Sequence, residues 1–120
     1  MNTKQVFEIQ ARPDLTLVRF FGSIDAAMVE ECKPAIQKKI PAGTKNFVID
    51  LADVSFLDSH GVGLFVSLLN QAYKNGGHLF LASANGQPAS VLDMVGFTGA
   101  HVSHVTGADD ASQKLKKIQG

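Results

Sequence analysis

Phe47-Val48-Ile49-Asp50-Leu51-Ala52-Asp53-Val54-Ser55-Phe56-Leu57-Asp58-Ser59-His60-Gly61-Val62-Gly63-Leu64 is the stretch on which the fold turns. Its first five residues form a short apolar run, as in a strand covered on both faces, and so predict a central strand. From Gly61 to Tyr73, residues Val62, Leu64, Phe65, Val66, Leu68, Leu69 and Ala72 are apolar nearly all round, which predicts a largely buried helix. Residues 52–63 then read as a strand-to-helix loop that becomes a helix start at Asp58 and Ser59. A helix start carries backbone N–H groups with no intrahelical partner, and such a place favours an anion. A phosphate on Ser59 would bring about −1.5 to −2 charges next to those donors, yet beside the Asp58 carboxylate.

Working outward, residues 6–10 and 15–21 are rich in β-branched and aromatic side chains, and Arg12-Pro13-Asp14 between them forms turns, so they predict a hairpin. After Gly22, Asp25 is placed to cap a helix whose apolar positions Val29, Cys32, Ile36 and Ile40 recur at steps of three and four. Pro34 falls inside that helix and is expected to kink it. Downstream, Asn75-Gly76-Gly77 ends the second helix. A strand follows over 78–82, then a helix over 88–95 stopped by Gly96, and a short strand over 102–105. Ala108, Ala111, Leu115 and Ile118 trace a final helical stripe, with Asp109 and Asp110 near its start and lysines near its end, as the helix dipole favours. Alternating strands and helices predict an α/β fold: a mixed, mostly parallel sheet of four or five strands, opened by a hairpin, with about four helices.

At 120 residues, 45% hydrophobic and 18% charged, the chain reads as one domain over 1–120 with no low-complexity tail. Eleven basic residues balance eleven acidic ones, so no strong field recruits nucleic acid or an anionic membrane. Residues 1–10 lack the basic-then-apolar pattern of a leader, and the longest apolar-rich run, 61–69, is far short of the roughly 18 residues a membrane span needs. Cys32 is the only cysteine, which excludes an internal disulfide and fits a reducing compartment, the cytoplasm being the natural one.

On local chemistry alone, Asp58 or Ser59 is an ordinary N-cap and the glycines let helix pack closely on strand. Asp58, Ser59 and His60 do not form a catalytic relay, because a triad needs a base within reach of the hydroxyl and a third group orienting it, and consecutive side chains diverge. Gly61-Val62-Gly63 lacks the third glycine of a dinucleotide fingerprint, Val66 standing there. His60 as a phosphocarrier acceptor has no other support. His101 and His104 are too few for a metal site and fall on opposite strand faces. Cys32 reads as a small packed side chain. Phe20, Phe21, Phe47, Phe56, Phe65 and Phe80 read as core, whereas Phe97, in a glycine-flanked segment, is the aromatic expected at the surface.

The wider pattern adds to this. Val48-Ile49-Asp50-Leu51, then Val54-Ser55-Phe56-Leu57-Asp58-Ser59, then Gly61-Val62-Gly63-Leu64 closely resembles the signature of STAS domains of the anti-sigma-factor-antagonist type. Gly22-Ser23-Ile24-Asp25 is similar to that family's Gly-Glu-Leu-Asp segment, and Leu92-Asp93-Met94-Val95-Gly96-Phe97 to its later helix end. The resemblance implies a non-enzymatic switch, and one continuous set of amphipathic elements with no ligand cluster predicts a monomer that needs no cofactor or metal. In it Ser59 is the phosphoacceptor, and Asp25, Asp58, Ser59, His60, Gly61 and Val62 form the partner-binding patch. The implied partners are an anti-sigma factor serine kinase, bound by the unphosphorylated form so that the sigma factor is released, and a PP2C-type phosphatase. His60 stands where the family usually has a second serine or threonine, and Ser23 replaces an acidic residue. The competing reading within the same family is a scaffold or an accessory subunit of a lipid transporter.

Overall fold

A computed structural model describes residues 6–97 and 102–119. Two antiparallel strands open the chain, β1 (Phe7–Ala11) and β2 (Thr16–Ile24). There follow α1 (Ala26–Lys39), β3 (Phe47–Leu57), α2 (Ser59–Lys74), β4 (Leu79–Ala82), α3 (Gly86–Met94), β5 (Val102–Val105) and α4 (Ala108–Gln119). The five strands form one sheet in the order β1-β2-β3-β4-β5, and every pair after the first is parallel. This is the α/β class, strand number and helix number that the sequence predicts.

Side-chain alternation along the strands divides the core between the two sheet faces. On one face Val18, Phe20, Phe47, Ile49, Leu79 and Leu81 pack against Met28, Cys32 and Ile36 of α1, Leu64, Phe65, Leu68 and Ala72 of α2, and Leu92 of α3. On the other, Leu15, Val48, Phe80, Ala82 and Val105 are covered by Ala111 and Leu115 of α4. Toward β1 and β2 this second face is open. There Arg19 bonds Asp53 at 2.6 Å and lies 5.1 Å from the centre of the Phe21 ring. At the start of the strands Asn46 ties three of them together: Thr16 N–H donates to its backbone carbonyl, His78 N–H donates to its side-chain Oδ1, and its Nδ2 donates to Asp14 O.

Several local expectations change. The α1 stripe is led by Met28, with Val29 only half-buried, and α1 runs unbroken through Pro34. Pro34 is exposed, so the Glu30 carbonyl that loses its donor there faces water. Helix α2 is amphipathic: Leu64, Phe65, Leu68 and Ala72 are buried while Val66 and Tyr73 point outward, because only one of its sides meets the sheet. Ile118 is exposed, one turn beyond the covered part of α4.

The expected roles of two aromatics are reversed. Phe97 is 6% exposed, because Gly96 adopts a left-handed conformation (φ 67°) that turns the chain back and sets the ring edge-on to Phe65 at 6.4 Å. Phe56 is 41% exposed, because it neighbours core-facing Leu57 and the helix of the second face, α4, packs elsewhere. His101 lies outside the described residues. His104 is exposed on β5.

Candidate functional site

Residues 52–63 are not a loop. β3 stays paired with β2 as far as Leu57, α2 begins at Ser59, and Asp58 alone joins them. The polar residues Asp50, Asp53 and Ser55, which make the stretch look like a loop in sequence, are tolerated in the strand because the sheet face beside them is open. Two register irregularities, between Arg19 and Phe21 and between Gly22 and Ser23, let β3 use two more residues than β2 over the same length. Gly22, at φ 78°, accommodates the second. Through both bulges Val54 and Leu57 still reach the core.

The consequence is a matched pair of strand ends. Ile24 and Leu57 are register partners in parallel strands, so the residues after them, Asp25 and Asp58, stand side by side at one edge of the sheet. Both have extended backbone and both are N-caps, Asp25 of α1 and Asp58 of α2. The Asp25 carboxylate accepts the Met28 N–H at 3.0 Å. The Asp58 carboxylate accepts the N–H of His60 at 2.8 Å and of Gly61 at 3.2 Å. Asp58 N–H in turn donates to Ile24 O at 3.3 Å. Partial burial pushes the Asp58 carboxyl up, but the N–H groups of Gly61 and His60, the His60 ring and the Ala26 N–H together outweigh it, so its pKa lies below the ordinary value.

The candidate residues fall into two groups. Ser59 and His60 are exposed, and Asp25, Asp58 and Val62 are half-buried around them. The His60 Nδ1 lies 3.6 Å from Asp58 Oδ1. Among the described residues the Ser59 hydroxyl has no hydrogen-bond partner. Gly61 is of another kind: it is buried, and a Cβ there would strike the Leu57 side chain and come within 2.8 Å of Ile24 O. It lets α2 start flush against the strand ends and presents no side chain to a partner.

Two of the N–H donors that would cradle an anion are already in use. Asp58 occupies those of His60 and Gly61, so a phosphate on Ser59 competes with a carboxylate for them instead of finding them open.

The STAS domain family model matches residues 6–105. The chain belongs to the STAS domain family. An anti-sigma-B factor antagonist of Staphylococcus epidermidis is 29% identical over 83 residues, covering 69% of this chain and 77% of that protein. Among solved structures, an anti-sigma factor antagonist from Mycobacterium paratuberculosis superposes with a TM-score of 0.75 at 19% identity, covering 96% of this chain and 94% of that one. The Bacillus cell fate determinant SpoIIAA in its phosphorylated form gives 0.69 at 21% identity, covering 92% of this chain and 99% of that one. At these identities the two structures share the STAS fold with this chain.

Gln87 at the start of α3 escapes a reading of the sequence. Its side-chain amide accepts the Leu57 N–H at 2.8 Å and donates to Leu57 O at 2.9 Å. Nothing in Asn85-Gly86-Gln87-Pro88 announces this, because the need for it arises from a mismatch between β3 and β4. Among the described residues no three metal-ligating side chains gather, and no helix is long and apolar enough to cross a membrane.

Proposed function

We propose that this STAS domain is an anti-sigma factor antagonist, a non-enzymatic binding switch controlled by phosphorylation of Ser59. In its unphosphorylated form it binds an anti-sigma factor that is also a serine kinase, through Asp25, Asp58, Ser59, His60 and Val62, and so frees the sigma factor. A PP2C-type phosphatase resets it. It acts as a cytoplasmic monomer, residues 1–120 forming one domain, without cofactor or metal. The observation that carries this reading is the exposed Ser59 hydroxyl on the first residue of α2, next to an Asp58 that has already taken the neighbouring N–H donors. The curated name of the Staphylococcus epidermidis relative supports the same role.

Phosphate at that position adds charge the helix start cannot absorb, and a partner packing against it meets both desolvation and repulsion from Asp58. A loss of about 2.7 kcal/mol weakens binding about a hundredfold. The test is intact-mass spectrometry after incubation with the cognate kinase and ATP, paired with binding titrations. Ser59→Ala keeps a small uncharged surface and binds persistently, and Ser59→Asp binds poorly. A phosphate mapping to another residue, or a Ser59→Asp protein that binds as tightly as wild type, overturns the switch.

A further inference from the structure

β3 is eleven residues long and β4 only four. β4 pairs with Phe47 to Asp50 and then stops, so the far half of β3 has a strand neighbour, β2, on one side only. Successive residues of a strand direct their N–H and C=O to opposite edges. Asp58 N–H points to β2, where it donates to Ile24 O. The N–H and C=O of Leu57 therefore point to the edge that β4 has left, and buried backbone groups require partners there. Gln87 supplies both, its carboxamide accepting from Leu57 N at 2.8 Å and donating to Leu57 O at 2.9 Å. A primary amide in this orientation supplies the acceptor and the donor that two residues of a longer parallel β4 would offer.

We infer that Gln87 is a positioning residue for the switch: by clamping Leu57 it fixes the end of β3, and with it Asp58 and Ser59, in the geometry that partner and kinase recognise. The chain of contacts is short. Leu57 is bonded to Asp58, and Asp58 holds the N–H groups of His60 and Gly61. Gln87 is also chemically specific, because one side chain must accept through Oε1 and donate through Nε2. Gln87→Met keeps length and loses both bonds. Gln87→Glu keeps shape, but its carboxylate can accept from Leu57 N–H and only repel Leu57 O, whereas the protonated carboxyl can serve both. Acidification toward the ordinary carboxylate range therefore restores the clamp in this variant alone.

The phosphorylation step of this inference rests on the function proposed above, and the experiment separates the two. Amide hydrogen exchange is measured by NMR on wild type, Gln87→Met and Gln87→Glu from about pH 7 to about pH 4, alongside steady-state phosphorylation of each by the cognate kinase at neutral pH. In Gln87→Met, exchange at Leu57, His60 and Gly61 is expected to accelerate at least about tenfold while Leu64 and Leu68 keep wild-type protection, which sets local release apart from general unfolding. kcat for Ser59 phosphorylation falls by a similar factor with KM changed less. For Gln87→Glu, the ratio of its exchange rate at Leu57 to that of wild type falls as pH falls toward about 4, whereas the ratio for Gln87→Met stays flat. Wild-type exchange at His60 and Gly61 in Gln87→Met, or parallel pH ratios for the two variants, overturns the inference. A wild-type protein that is not phosphorylated on Ser59 overturns the proposed function instead, and the exchange data then still decide whether Gln87 holds the strand end.

Discussion

Replacing Gly61 with alanine sets a methyl group where the structure has no room for one. The new Cβ would collide with Cδ1 of Leu57 and stand 2.8 Å from Ile24 O and 2.9 Å from Ile24 Cγ2. Leu57 and Ile24 are fully buried, and the carbonyl oxygen belongs to a paired strand, so neither can swing aside as a surface side chain would. Overpacking of this kind costs about 1–3 kcal/mol, and contact with backbone points to the upper end. Alanine returns about 1 kcal/mol through helix propensity, which leaves a net loss of about 2 kcal/mol, or about 8 °C in Tm at about 4 °C per kcal/mol for a domain of this length. Gly63 is the internal control. It lies in the same helix and is exposed, and a Cβ there would meet nothing within 4 Å. Gly63→Ala therefore gains up to about 1 kcal/mol. Urea and thermal unfolding of the two variants, followed by circular dichroism, should move in opposite directions. If Gly61→Ala is as stable as wild type, or both variants shift the same way, the close seating of α2 on the strand ends is wrong.

Asp58 gives a pH signature. Its folded pKa is depressed, so its contribution to stability is complete above the ordinary carboxylate value near about 4 and is lost as pH falls through the lower folded value. The Tm gap between wild type and Asp58→Asn should be full at about pH 5 and should narrow toward about pH 3; a gap that persists in acid contradicts the assigned hydrogen bonds. On the same helix, Leu68→Ala removes a side chain 2% exposed and should cost about 2–5 kcal/mol, whereas Val66→Ala, at 38% exposed, should stay within about 0.5 kcal/mol. Equal losses in chemical denaturation would mean that the buried and outward sides of α2 are misassigned.

Much of this architecture is legible in the sequence, since it depends on neighbours in the chain. Arg12-Pro13-Asp14 marks the hairpin turn, Asp25 marks a helix start directly after a strand, and Asn75-Gly76 marks a helix end that the structure closes with Gly76 at φ 75°. The adjacency of Asp25 and Asp58 follows from the prediction of parallel strands, because such strands finish at the same edge. What stays hidden depends on distant partners. The far half of β3 is masked by Asp50, Asp53 and Ser55, whose tolerance reflects where α4 does not pack. Phe56 and Phe97 exchange roles because the exposure of an aromatic is set by what lies over it, and neither the position of α4 nor the turn at Gly96 can be read locally. Gln87 is the extreme case, since its role exists only because β4 is shorter than β3.

The register match at Ile24 and Leu57 also bears on how a switch at this edge would operate. Each strand passes into its helix through one residue, so there is no slack loop to rearrange, and each helix start is held by the carboxylate of that residue. A phosphate on Ser59 has two courses. It can remain outside, leaving Asp58 in place and adding its charge to a surface that already carries Asp25 and Asp58. Alternatively, it can displace the Asp58 carboxylate from His60 and Gly61, which loosens the start of α2. The first course changes only the potential that a partner meets, while the second also changes the position of the Asp58 side chain. The His60 and Gly61 amides separate them: their proton chemical shifts change little on phosphorylation in the first case and move strongly when phosphate replaces the carboxylate in the second. The occupied donors and the close seating of Gly61 favour the first, because displacing Asp58 gives up two N–H hydrogen bonds at an edge with no room to reorganise.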